Sequence, residues 1–137
     1  MRSSIAAVGI LALSLAACAG NPKPGESGYP YNLSGTYQAL WMVAGESNTG
    51  TMELATAPGG VVSGSFEVTE PSVVVGTVEG RIVADTIDFQ MPYQRDECGG
   101  VVYGRNAIAA GGLQFGGEVR LVDECAGEMT GTMEVRR

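Results

Sequence analysis

The chain contains no histidine, only one lysine, Lys23, and only one tryptophan, Trp41. Without histidine there is no Ser-His-Asp or Cys-His arrangement, and no imidazole to hold a metal or carry a proton near neutral pH. The single lysine sits in a proline-rich tether. A two-carboxylate glycosidase needs aromatic platforms for its sugar, and only Trp41 is on hand. We therefore expect a protein that is not an enzyme and that carries no cofactor. Positive charge is scarce as well: 8 basic side chains stand against 15 acidic ones, for a formal net charge of −7. Nucleic acid and anionic lipid headgroups both demand a basic footprint, so neither is an expected partner. A cation or a basic protein is the partner whose charge this balance allows.

Long apolar runs are confined to the N-terminus. After Met1-Arg2, residues 5–17 are apolar apart from Gly9 and Ser14. This is too short to span a bilayer, and it has the charged-then-apolar order of a signal peptide. It ends Leu15-Ala16-Ala17-Cys18, followed by Ala19-Gly20. The tetrapeptide resembles the lipobox of bacterial lipoproteins. That resemblance implies removal of residues 1–17 and lipidation at Cys18, and three acyl chains anchor far more firmly than one. Ala19, rather than aspartate, after the cysteine implies an outer-membrane address, on the periplasmic or the surface face. With Arg2 removed, the mature part has 7 basic and 15 acidic side chains, a net charge of −8.

Residues 18–32 hold Pro22, Pro24, Pro30 and three glycines with almost nothing to bury, the composition of a flexible tether. It would hold the domain on the order of 20 Å from the membrane. From Leu33 to the end, runs rich in Val, Thr and Ile alternate apolar with polar side chains, and glycine-containing turns interrupt them. That period of two predicts strands near 34–43, 50–57, 61–68, 72–82, 86–94, 99–110, 113–122 and 127–136. Four stretches also repeat one another: Gly50-Thr51-Met52-Glu53-Leu54, Gly64-Ser65-Phe66-Glu67-Val68, Gly76-Thr77-Val78-Glu79-Gly80 and Gly131-Thr132-Met133-Glu134-Val135. Their glycine and large apolar residue share one face, and their glutamate lies on the other, solvated one.

Register can be read by arithmetic, because opposed residues in an antiparallel pair sum to a constant. A two-residue turn at Gly111-Gly112 sets Ile108 opposite Phe115, Val102 opposite Leu121, Arg105 opposite Glu118 and Cys98 opposite Cys125. A turn at Pro58-Gly59-Gly60 pairs Met52 with Phe66. One at Ala84-Asp85 pairs Ile82 with Ile87 and Arg81 with Asp88. Eight strands in hairpin order with one apolar face predict an all-β, eight-stranded antiparallel up-and-down (meander) β-barrel over residues 33–137. A two-sheet β-sandwich is the runner-up.

With Cys18 lipidated, Cys98 and Cys125 are the remaining thiols in an oxidising compartment, and their opposition predicts a disulfide. No Cys-x-x-Cys motif argues for a metal instead. In a meander alternate turns gather at opposite ends, and we expect the end away from the tether to carry the longer loops. Glu46, Glu70, Asp96, Glu97, Asp123 and Glu124 fall there as an acidic rim. Oxygen-rich clusters of this sort can bind Ca²⁺, but the spacing fits no calcium loop, and solvation alone accounts for them. Facing inward we expect Tyr37, Trp41, Met52, Phe66, Phe89, Asn106 and Phe115. They line either a cavity for a small apolar ligand or a packed core in which glycines mark bends; the modest aromatic content favours packing.

The architecture resembles the lipocalin and calycin group, which implies a small-molecule carrier. Biotin-binding barrels need tryptophans that this chain lacks. Periplasmic lysozyme inhibitors are also disulfide-bearing lipoprotein barrels, and an acidic rim would suit a basic enzyme. Their Ser-Gly-x-x-Tyr motif is one residue longer than Ser34-Gly35-Thr36-Tyr37. The expected function is thus a membrane-anchored, non-catalytic binding module, with a protein-binding, inhibitory or structural envelope part as the alternative.

Overall fold

The structure is a computed structural model that describes residues 31–109 and 112–137. The signal peptide, Cys18 and nearly all of the tether lie outside the described residues. So does Gly111, half of one expected turn.

Eight strands follow one another in order: β1 (Gly35–Val43), β2 (Glu46–Thr56), β3 (Val61–Glu70), β4 (Val74–Val83), β5 (Thr86–Arg95), β6 (Cys98–Ala109), β7 (Gln114–Asp123) and β8 (Gly127–Arg136). Each pairs antiparallel with the next, and β8 returns to β1, with Ala39 opposite Val135 and Trp41 opposite Met133. The sheet is therefore a closed meander barrel without an unpaired edge, and the sandwich alternative is set aside. Period-two burial explains the closure. Along β5 the buried residues are Ile87, Phe89, Met91 and Tyr93, while Gln90 and Gln94 are exposed. The outer wall carries Glu53, Glu67, Glu79, Arg105, Glu118 and Glu134, all exposed. This is the reverse of a membrane-spanning barrel, whose outer face is an apolar band.

The expected registers hold at Met52 with Phe66, Ile82 with Ile87, Arg81 with Asp88, Val102 with Leu121 and Ile108 with Phe115. Cys98 and Cys125 are bonded, with Cα atoms 5.8 Å apart. The β6–β7 sum also holds on either side of Arg105, at Gly104 with Val119 and Ala107 with Gly116. The Arg105 guanidinium itself pairs across to β5, where Nε and Nη2 donate to Asp88 at 2.7 and 3.0 Å. Asp88 lies directly opposite Arg105 in the β5–β6 ladder.

The expectation of longer loops at the far end is corrected. Its four connections are residues 44–45, 71–73, 96–97 and 124–126, no longer than those at the tether end. Ala44 and Gly45 both take positive φ, 52° and 79°, and Asp96 takes 45°. These are the backbone conformations that let a two-residue turn match the strand twist. The strands therefore run further than polarity suggested, and Glu46, Glu70 and Arg95 are strand ends rather than loop residues.

The repeat also gains a reason. A Cβ on Gly50, Gly64, Gly76 or Gly131 would collide with a backbone carbonyl oxygen of the adjacent strand, that of Glu67, Glu53, Pro92 and Met42 respectively. Only glycine lets two coiled strands approach so closely at these corners. Elsewhere aromatic rings lie over inward glycines, Phe89 on Gly104 and Tyr93 on Gly100.

Candidate functional site

The two ends of the barrel differ. At the tether end, Leu33 is fully buried, and its amide donates to Thr56 Oγ1 at 3.0 Å. The Tyr37 hydroxyl reaches the Leu33 carbonyl at 2.8 Å, and the Arg137 guanidinium lies over the Tyr37 ring, 5.2 Å from its centroid. Tyr37 and Phe115 meet edge to face at 5.9 Å. These contacts plug the end from which the chain enters.

The far end is open. A cavity of about 320 Å³ opens there between the strand ends, walled by Trp41, Phe66, Val68, Val102, Leu121 and Met129. Trp41 and Phe66 form its floor as a tilted pair with ring centroids 5.6 Å apart. Five exposed carboxylates stand on the surrounding turns and strand ends: Glu46, Glu70, Asp96, Glu97 and Glu124. Arg95 is the one basic residue in those connections and their flanks.

Asp123 is not part of that rim. It is the last residue of β7, faces inward and is 3% exposed. Its Oδ2 accepts from the Tyr93 hydroxyl at 2.5 Å and from Arg95 Nε at 3.2 Å. Its Oδ1 accepts from Arg95 Nη2 at 3.3 Å and from the backbone amides of Cys125 and Ala126, each at 2.8 Å. The Arg95 guanidinium holds the Asp123 carboxyl far below the usual carboxylate range. Burial opposes this, and the Tyr93 and amide hydrogen bonds reinforce it. Burial pushes the Tyr93 hydroxyl well above its ordinary range, and its bond to Asp123 adds to the shift. Asp123 in turn raises Arg95. The network fixes the β7–β8 turn, which the Cys98–Cys125 bond also ties to β6. Cys98, Asp123 and Cys125 cluster closely enough to suggest a metal, but both sulfurs are in the disulfide and both carboxylate oxygens are occupied.

All seven residues expected to face inward are buried. They do not act together. Tyr37, Phe115 and Asn106 belong to the closed part, Met52 and Phe89 to the packed middle, and only Trp41 and Phe66 reach the cavity. Asn106 Nδ2 donates to the Glu118 carbonyl at 3.2 Å, while its Oδ1 is buried with no partner. Sequence reasoning missed Tyr93, Asn48 and Met129 as cavity residues, and it placed Arg95 on a loop. The signal was present for Arg95: the count Ile87, Phe89, Met91, Tyr93 continues to it. A wider, shallower depression crosses the outer wall over β4 to β8, where Arg105 is paired with Asp88 and Arg120 lies over the Tyr103 ring at 4.7 Å.

No protein-family model matches the sequence, and no relative is found among curated proteins. Among solved structures the barrel is similar to a redesigned β-barrel. The two superpose with a TM-score of 0.61 over 77% of this chain and 90% of that one, at 18% identity. The likeness is one of fold.

Proposed function

We propose that the chain is a lipid-anchored envelope protein whose barrel binds a small, largely apolar ligand in its open mouth without catalysing a reaction. The carrying observation is the contrast between the ends: one is plugged by Leu33 and Tyr37, whereas the other holds a cavity floored by Trp41 and lined mostly by apolar side chains. At about 320 Å³ it lies at the lower end of the roughly 300–1,000 Å³ typical of small-ligand sites. The lipobox supports anchoring through Cys18 to the outer membrane, and a polar outer wall suits a domain held beside the bilayer rather than within it.

Native mass spectrometry of the purified protein tests the reading through co-purified ligand, and Trp41 supplies a second readout. As the only tryptophan, it reports the cavity alone. A lipophilic ligand should shift its emission in a saturable way, and an unchanged spectrum across a panel of such ligands would refute the proposal. A retained diacylglyceryl group, lost in Cys18→Ser, is the expected intact-mass result for the anchor. The five rim carboxylates favour a second reading, a basic protein docked at the mouth. Capture from envelope extract that disappears at high salt would support that alternative.

A further inference from the structure

Resting on the cavity reading above, we infer that the ligand carries a positively charged amine, seated with its apolar part against Trp41 and its ammonium group at Glu46. Three charged residues line the cavity: Glu46, Arg95 and Asp123. Two of them cancel. Arg95 spends Nε and Nη2 on Asp123, and Asp123 is further held by Tyr93 and two backbone amides, so it does not swing aside to release the guanidinium to an incoming anion. Glu46 remains. It makes no ion pair among the described residues, and it leaves the lining with one net negative charge.

Its position suits a headgroup. In the β1–β2 ladder Asn48 lies opposite Trp41, and Glu46 lies opposite Val43, two residues nearer the lip. On a strand, residues two apart share a face. A ligand entering along this wall therefore meets Trp41 at depth, the half-buried amide of Asn48 above it and the carboxylate at the lip. The other exposed carboxylates, Glu70, Asp96, Glu97 and Glu124, add a field of the same sign, which repels anions and concentrates cations at the mouth. An unpaired carboxylate within reach of solvent is worth a few-fold in binding, and attraction for one sign compounds with repulsion of the other to about tenfold.

The test uses three probes of one chain length, octylammonium, octanol and octanoate, titrated against Trp41 emission at pH 7 and low salt. Octylammonium is expected to bind about tenfold tighter than octanoate, with octanol between. Glu46→Gln should shrink that ratio to about threefold or less, whereas Glu97→Gln, on the rim but outside the lining, should largely preserve it. Far-ultraviolet circular dichroism checks that both variants keep the barrel. Octanoate binding as tightly as octylammonium overturns the inference while leaving the cavity reading intact, and so does a ratio that survives Glu46→Gln. If none of the three perturbs Trp41, the cavity reading itself fails, and this inference falls with it.

Discussion

Replacing Asp123 with alanine removes five hydrogen bonds at once, and the structure allows the cost to be apportioned. The Tyr93 hydroxyl, on a residue only 9% exposed, loses its acceptor; an orphaned buried donor costs about 1–3 kcal/mol. Arg95 loses its counter-ion, but its side chain is 40% exposed and rehydrates, so that contribution stays below about 1 kcal/mol. The amides of Cys125 and Ala126 belong to exposed residues and turn to water, at about 0.5 kcal/mol each. The total is about 2–5 kcal/mol, which overlaps the range for breaking a buried ion pair and is a large share of the roughly 5–15 kcal/mol of a typical domain. Urea denaturation should show this as a midpoint lower by about 1–2 M with an unchanged slope. In a cycle with Tyr93→Phe, the two losses should fall short of additivity by about 1–2 kcal/mol, because they share one bond.

Acid provides an independent check with a definite sign. The folded state depresses the Asp123 pKa, so its contribution is present above the unfolded value near 3.9 and is lost as pH falls below it. The wild type should therefore lose stability relative to Asp123→Asn between about pH 5 and pH 2. A loss under about 1 kcal/mol for Asp123→Ala, or parallel acid profiles for wild type and Asp123→Asn, would refute the network's role.

Three further outcomes are expected. Reducing the disulfide, or making Cys98→Ser with Cys125→Ser, frees a loop of about 28 residues and should cost roughly 3.6 kcal/mol in the chain-entropy model; an unchanged melting temperature would deny it any stabilising part. Gly64→Ala should abolish folding, because its methyl would lie on the Glu53 carbonyl in a fixed strand. Gly104→Ala should cost about 1–3 kcal/mol, because its methyl, 2.5 Å from Phe89 Cζ, meets a ring that can shift; equal costs by calorimetry would contradict this distinction. Asn106→Asp buries a carboxylate beside the Glu118 carbonyl with no donor, and should be at least about 2 kcal/mol worse in urea than Asn106→Val, which removes the orphaned Oδ1.

Much of the fold could be read from the sequence because one correct turn propagates. Once a turn fixes the sum of opposed residues, each pair along the hairpin follows, which is why Ile108 with Phe115 and Val102 with Leu121 came out right together. Turn length at the far end was not legible by the same means. Ala44-Gly45 and Asp96-Glu97 lack the Asn-Gly signature of tight hairpins, yet Ala44, Gly45 and Asp96 take the same left-handed backbone. Which carboxylate Arg105 chose was equally hidden, since Asp88 and Glu118 lie on its two neighbouring strands and only three-dimensional reach decides between them.

The site escaped for a related reason. Alternation reveals a strand only while its inward side is dry, and at an open mouth inward positions are free to be polar. Glu46, Asn48, Arg95 and Asp123 therefore read as loop, although each faces in from a strand. Counting by two past the last apolar residue recovers two of them: Tyr93 leads to Arg95 on β5, and Val119 and Leu121 lead to Asp123 on β7. In a closed meander, polar residues that keep the inward phase beyond the apolar run thus mark the open end, while those out of phase belong to the solvated wall. By that criterion Glu46 is in phase with Met52 and Gly50, whereas Glu97, two residues past the end of β5 in a turn, belongs to no strand. This difference separates a carboxylate built into the cavity from one that merely stands on its rim, and it is why the two are expected to behave differently when their charge is removed.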